Sequence, residues 1–254
     1  MKKTVLQILP ELDVGGVERG TIEVAAALVK QGHRSIVVSG PGRLVDELTD
    51  QGSEHINLTV GKKSLLSLRL IPRLRQIFEK QHVDIIHARS RLPAWLAYLA
   101  RRKMPPQLRP AFITTVHGPY TVNRYSEIMV KGEKIIAISE YIKDYILNNY
   151  PDVNSDNITL IHRGISKNSF PYNYTPSEEW LREWQQNHPS LNNQFLITLP
   201  ARVTRWKGHN DFIEIISKCV QKGINVHGVI AGGDDNRKKT FMQELENQIK
   251  TNKI

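Results

Sequence analysis

The chain has 254 residues, 40% of them apolar and 24% charged, and a formal net charge of +10. That composition suits one large or two smaller globular domains with a real core, so disorder is not the expectation. A single cysteine, Cys219, excludes an internal disulfide and agrees with a reducing compartment.

The N-terminus runs Met1-Lys2-Lys3 and turns apolar, but Gln7, Pro10, Glu11 and Asp13 interrupt it, so a strand over 4–9 is expected rather than a signal peptide. No apolar run approaches the roughly 18 residues that a membrane-spanning helix needs. A helix over 17–30, a strand over 35–39 and another helical stretch beyond Gly42 follow. Then come a helix over 65–80, a strand over 83–87, a helix over 93–103, strands over 111–117 and 134–139, a helix reaching 149 and a strand over 158–162. This β-α-β-α rhythm predicts a parallel sheet covered by helices on both faces, an open doubly wound α/β domain over residues 1–168. Residues 169–176 hold Pro171 and Pro176 and no periodicity, which reads as a linker.

A second rhythm occupies 177–254: a helix over 177–187, a strand over 195–202, a helix over 209–222, a strand over 225–231 and a helix over 237–250. Two strands bury too little to stand alone, so this second domain is expected to lean on the first, to lean on another chain, or to be incomplete. Cys219 falls in the series Phe212, Ile213, Ile216, Cys219, Val220 at helical spacing and is expected to pack in the core.

Charge is unevenly spread. Residues 56–110 hold twelve Lys and Arg against Glu79 and Asp84, which equals the whole net excess. Lys62, Lys63, Arg69, Arg73, Arg75 and Arg101-Arg102-Lys103 would attract an anionic membrane surface, although a plainly solvated basic face fits the same residues. Few aromatics interleave with these bases and no nucleic-acid-binding motif is present, so nucleic acid is not expected as a partner.

The unusual polar and glycine clusters sit just after the carboxyl ends of expected strands, the edge where open α/β sheets bind ligands. In the first domain these are Gly15-Gly16, His87, His117-Gly118, Ser139 and Arg163-Gly164; in the second, 202–207 and Gly232-Gly233. Facing carboxyl edges would make an interdomain cleft. Gly15-Gly16-Val17-Glu18 opens a helix, whose free N–H groups could receive an anion; a tight turn is the plainer alternative. The dinucleotide fingerprint G-x-G-x-x-G is not there. Arg202 offers a planar fork and Lys207 a point charge before a glycine and a helix start, which suits a diphosphate, or else a solvated basic loop. His87 and His117 end apolar strands, where an imidazole could hydrogen-bond a sugar hydroxyl or be an ordinary satisfied side chain. No H-E-x-x-H, C-x-x-C or D-x-D cluster accompanies them, and Asp234-Asp235 reads as a helix cap, so no metal is expected. Acyl transfer lacks its Gly-x-Ser-x-Gly elbow, and glycoside hydrolysis lacks its paired carboxylates.

Taken in order, "LPELDVGGVERGTIEVAAALVKQGH", "DIIHARSRLPAW", "TTVHGPY", "IIAISEYIKDYI", "LIHRGI", "PARVTRWKGHNDFIEII" and "VIAGGDD" resemble glycosyltransferase family 4. The resemblance implies a GT-B-like fold of two Rossmann-like domains, the first on the acceptor side and the second, incomplete here, for the donor. It implies a retaining enzyme that uses a nucleotide-sugar substrate without a metal or other cofactor. Gly15, Gly16 and Gly232 would then lie near the donor phosphates, Arg202 and Lys207 would hold the diphosphate, and His117 would face the reacting sugar. Glu18, His87 and Arg163 would contact acceptor or sugar. A lipid-linked or cell-surface glycan acceptor, in lipopolysaccharide assembly, fits a cytoplasmic chain attached to the inner face of the inner membrane. The family's later pair of glutamates, with seven residues between them, has no counterpart in this sequence. The alternative reading is therefore a truncated or split remnant that binds phosphate or a membrane surface without turnover.

Overall fold

The computed structural model describes residues 1–167, 169–232 and 239–252. The chain divides into two compact units, Met1–Ile165 and Ser166–Ile254.

The first unit is built on β1 (Thr4–Ile8), β2 (Arg34–Ser39), β3 (Glu54–Asn57), β4 (Ile85–Ala88), β5 (Ala111–Val116), β6 (Lys134–Ala137) and β7 (Ile158–Leu160). They form one seven-stranded sheet in the order β3-β2-β1-β4-β5-β6-β7, parallel at every pairing. The crossovers carry α1 (Gly16–Lys30), α2 (Val45–Asp50), α3 (Leu70–Lys80), α4 (Arg91–Arg102) and α5 (Glu140–Asn149). A parallel sheet is covered on both faces, and the strands show it by alternation. Leu6, Ile8, Ile36, Val38 and Ile86 pack with Leu74, Phe78, Leu96 and Ala97 of α3 and α4. Leu9 and Val37 pack on the other face with Ile22, Ala25 and Leu48 of α1 and α2. Each fully buried Leu or Ile contributes about 1.5–3 kcal/mol relative to exposure.

Two features differ from the sequence expectation. Strand β3, with its segment Glu-His-Ile-Asn, lacks an apolar alternation and was not expected. It is held at the sheet edge by polar pairs. Arg34 Nε and Nη2 donate to the two Glu54 carboxylate oxygens at 2.6 and 2.8 Å, and His55 Nε2 lies 2.9 Å from Ser39 Oγ. The helix expected over 65–80 is a 3-10 stretch, Leu65–Arg69, followed by α3. Pro72 is the reason: it has no N–H for the Leu68 carbonyl, and its ring would collide with that carbonyl in a continuous α-helix. Ser64 Oγ accepts from the Leu66 N–H at 3.2 Å and starts the tighter turn instead.

The second unit pairs β8 (Phe195–Pro200) with β9 (Val226–Ala231) in parallel, beside α6 (Glu178–Asn187), α7 (His209–Gln221) and α8 (Lys239–Thr251). Ser177 caps α6, its Oγ accepting from the Trp180 N–H at 3.2 Å. The buried cluster is small: Val203, Ile213, Phe241 and Leu245. Of the apolar series on α7, Phe212, Ile213 and Ile216 are buried, whereas Cys219 is only half-buried and Val220 is exposed. Burial fades along the last turn of α7, which corrects the expectation of a core cysteine. Gly233, Asp234 and Asp235, with the capping role expected of the pair, lie outside the described residues. Among the described residues no helix is long and apolar enough to cross a membrane.

Candidate functional site

The strand order places a switch point between β1 and β4. From β1 the sheet grows one way through β2 and β3, and from β4 it grows the other way through β5 to β7. Connections diverge there and leave a crevice beyond the carboxyl ends of the strands. Gly15-Gly16 follows β1, Arg89 follows β4, His117 follows β5 and Arg163 follows β7.

Gly15 is the N-cap of α1 in an extended conformation open to any residue, and as a glycine it gives the helix no side-chain cap of its own. A methyl group on Gly16 would meet nothing within 4 Å, and one on Gly15 would meet only the Glu18 carboxylate. Neither backbone nor packing therefore requires this glycine pair. Its effect is to leave the first-turn N–H groups of α1 accessible, where the helix end favours negative charge. Glu18 already turns its carboxylate toward that position.

Arg163 reaches across from the segment after β7. Its Nη1 donates to the Gly16 carbonyl at 2.8 Å, and Nη2 lies 3.4 Å from Glu23 Oε2. The guanidinium rests on Gly20, where a methyl group would come within 2.6 Å of it.

Arg89 is only 3% exposed. Its Nη1 donates to Gln7 Oε1 at 3.1 Å, and the Gln7 amide nitrogen donates to the Thr21 carbonyl at 3.0 Å, tying β1 to α1. Nε of Arg89 has no hydrogen-bond partner among the described residues. Burial, and then the nearby Arg163 charge, bring the Arg89 pKa down to about 10 despite the opposing pull of Glu23 and Glu18. It is still a cation at neutral pH.

His117 donates its backbone N–H to the Tyr120 hydroxyl at 3.3 Å, while its ring Nε2 is buried without a partner among the described residues. Burial first, then Arg89 and Arg163, push its pKa down to about 3, so the imidazole is neutral. The loop that follows is pinned by α4. The Arg91 guanidinium lies 4.8 Å from the Tyr120 ring centre and donates to Ser126 Oγ at 3.2 Å. The Trp95 indole donates to the Tyr125 carbonyl at 2.9 Å.

Of the two readings of His87, a sugar contact or an ordinary satisfied side chain, the geometry fits the second. His87 is buried on β4 and shares a 2.7 Å hydrogen bond with Thr115 Oγ1 on β5. Burial, with Arg89 and His117 adding to it, holds its pKa well below the ordinary value. Alternation along β4 explains the placement, because His87 pairs in register with buried Gln7 rather than projecting past the strand end.

The second unit supplies another cationic helix start. Gly208, at φ 76°, turns the chain into α7 after the 3-10 stretch Arg205–Lys207. Arg205 is engaged with α8: it pairs with Glu244 at 2.7 Å and stacks 4.7 Å from the Phe241 ring centre. Arg202 and Lys207 are exposed, and among the described residues neither has an ion-pair partner. Gly232 has a packing reason for its identity, since a methyl group there would sit 2.0 Å from the Ala201 carbonyl oxygen.

Residues 14–168 match the family model described as Glycosyltransferase Family 4. The chain belongs to glycosyltransferase family 4. A crystal structure of a glycosyltransferase from Rickettsia africae ESF-5 is 36% identical, with a TM-score of 0.81 over 99% of this chain and 66% of its own. Anabaena Alr3699/HepE, solved with UDP and glucose, is 17% identical with a TM-score of 0.76, covering 98% of this chain and 66% of its own. WaaG, a glycosyltransferase involved in lipopolysaccharide biosynthesis, is 12% identical with a TM-score of 0.66, covering 96% of this chain and 68% of its own. The latter two are likenesses of fold. This chain thus spans about two thirds of the length of these solved chains. Its architecture is the mixed α/β, GT-B-like one expected from the motifs.

Arg89 was not singled out by the sequence reading, which counted it within the basic face of 56–110. The available signal was its place directly after a buried strand, the same position that marked Gly15, His117 and Arg163.

Proposed function

We propose that this chain carries the binding elements of a retaining glycosyltransferase that moves a sugar from a nucleotide-sugar donor to a lipid-linked or cell-surface glycan, with lipopolysaccharide assembly as its setting. The observation that carries this reading is the start of α7. Arg205 is committed to Glu244, while Arg202 and Lys207 on either side of it are exposed and lack ion pairs among the described residues. Together with the helix end they offer a diphosphate two charge-assisted contacts and a favourable dipole. UDP bound by the Anabaena relative fits the same reading.

In the proposed step the acceptor hydroxyl oxygen bonds to the anomeric carbon as the bond from that carbon to the phosphate oxygen breaks. The bonding electrons leave with the nucleoside diphosphate, and attack on the same face preserves configuration. The departing phosphate takes the hydroxyl proton, so no protein base is needed. Arg202 and Lys207 stabilise the charge that grows on the diphosphate, which is where fixed cations act most strongly. A neutral His117 can hydrogen-bond the sugar without competing for that charge. The reading uses no metal, because these cations occupy its role.

The acceptor side is read from the first unit. Leu65, Leu66 and Leu68 are 87%, 63% and 51% exposed, and the exposed bases Lys62, Lys63, Arg69 and Arg73 surround them. Apolar side chains among bases suit the surface of an anionic membrane.

The test is incubation of the chain with UDP-, GDP- and ADP-activated hexoses and a bacterial envelope lipid extract, with product configuration read by NMR. Transfer with retention, lost in Arg202→Ala, is the expected result; inversion overturns the retaining mechanism. A second reading, a chain that binds phosphate or membrane without turnover, is favoured by the two-stranded sheet of the second unit. Nucleotide binding with no transfer from any donor would support it.

A further inference from the structure

We propose that the first unit carries a second ligand site, a pocket on the flank of the sheet between the 3-10 stretch Ser126–Val130 and the end of α5, which binds a neutral sugar residue. The choice of a sugar rests on the functional reading above, whereas the pocket rests on the geometry of the first unit.

The pocket measures about 360 Å³, inside the range of about 300–1,000 Å³ typical of small-molecule sites. Most of its lining comes from 127–131 and 149–153, the segments that lead into the amino ends of β6 and β7. The crevice at the switch point lies beyond the carboxyl ends of the strands, so the two places are separate. Only Val122 and Asn123 come from the loop after β5.

The floor is apolar and fixed. Val130 and Val153 pack against the main core cluster, and the Tyr150 ring meets the Tyr145 ring edge-on, with 6.4 Å between centres at 75°. The Val153 N–H donates to the Tyr150 carbonyl at 3.0 Å and closes the turn that holds Pro151 and Asp152. Burial, and then Tyr145, push the Tyr150 pKa up to about 12, so the phenol keeps its proton.

The rim is polar and has capacity to spare. Asn123 Oδ1 accepts from the Ser126 N–H at 2.9 Å, which leaves its Nδ2 as a donor. Asn149 Nδ2 donates to the Tyr145 carbonyl at 2.8 Å, which leaves its Oδ1 as an acceptor. Lys131, the one cation of the lining, is taken up by Glu127 at 2.5 Å, whereas Asp152 has no ion pair among the described residues. A carboxylate or phosphate ligand would therefore meet the Asp152 charge with no free cation to offset it.

Donors and acceptors set around an apolar floor, without a free cation, fit a pyranose ring. Its C–H face packs on valine and tyrosine side chains, and each hydroxyl both donates and accepts. A sugar held here would be remote from the reacting end of the glycan, because the crevice lies at the opposite edge of the sheet. The pocket would thus anchor a longer acceptor or product by one of its other residues.

The test follows the backbone amides of the 254-residue chain by NMR while the methyl glycosides of glucose, galactose, mannose and N-acetylglucosamine are titrated separately. Glucuronic acid and a hexose phosphate serve as anionic comparisons. At least one neutral glycoside is expected to give saturable shifts within 122–131 and 149–153, and both anions to bind at least about tenfold more weakly. Asn149→Ala should weaken the neutral sugar, and Asp152→Ala should weaken it by about tenfold or more, as for a lost hydrogen bond to a charged group. Both residues are exposed, so neither variant disturbs the core. The site is overturned if no neutral sugar moves these amides, if an anion binds as tightly, or if both variants bind like the original. UDP titrated into the same protein is read at 202–208. Sugar binding without UDP binding keeps this site and fails the donor reading, and UDP binding without sugar binding does the reverse.

Discussion

Individual side chains of the first unit are tuned by burial more than by partners. For His117 the consequence is a pH dependence with a defined sign. The unfolded chain takes up the imidazole proton near pH 6.5, but the folded chain resists it down to about 3. Between those values the unfolded state binds more protons, so stability is complete above the upper one and declines as pH falls toward the lower, by up to about 1.4 kcal/mol per pH unit. His87 acts in the same direction. The carboxylates of Glu54 and Asp84, lowered by Arg34 and by the Thr4 N–H respectively, add to the decline only at the acidic end. Melting temperature should therefore fall as pH is lowered through this window, and His117→Gln should flatten the slope. Equal slopes for both proteins would contradict the buried neutral state of His117. Much of this cluster was readable from the sequence, since Gly15, His117 and Arg163 each follow an apolar strand. Arg89 was hidden because it stands in a run of bases, and its burial follows from strand pairing between β1 and β4, which composition does not reveal.

At the scale of elements, legibility follows the source of stability. Strands β1, β2, β4, β5 and β6 read as apolar runs because helices cover both sides of them. Strand β3 did not, because cross-strand polar pairs secure it. The 3-10 stretch Leu65–Arg69 has the periodicity of one long helix with α3, and the steric demand of Pro72 divides the two. In the proposed reading its geometry serves membrane contact, since it presents three leucines to solvent between exposed bases. Binding to phosphatidylglycerol vesicles, followed by co-sedimentation, should weaken when Leu65, Leu66 and Leu68 are changed to serine, and weaken separately with added salt. If the serine variant binds as well as the original, the stretch is an ordinary solvated face.

For the whole molecule, two units of unequal core share one chemistry in the proposed reading. The first has an extensive core on both faces of a seven-stranded sheet; the second relies on Val203, Ile213, Phe241, Leu245 and a two-stranded sheet. The rhythm of strands and helices carried both units in the sequence. How the donor loop after β9 is arranged was not legible, and Gly233, Asp234 and Asp235 lie outside the described residues. If the cations before α7 hold a nucleoside diphosphate, calorimetric titration with UDP and GDP reads it out. One of them is expected to bind saturably, weakened about 10- to 100-fold by Arg202→Ala or Lys207→Ala, the range expected for one charge-assisted contact. No binding of either nucleotide, or binding indifferent to both substitutions, would contradict it.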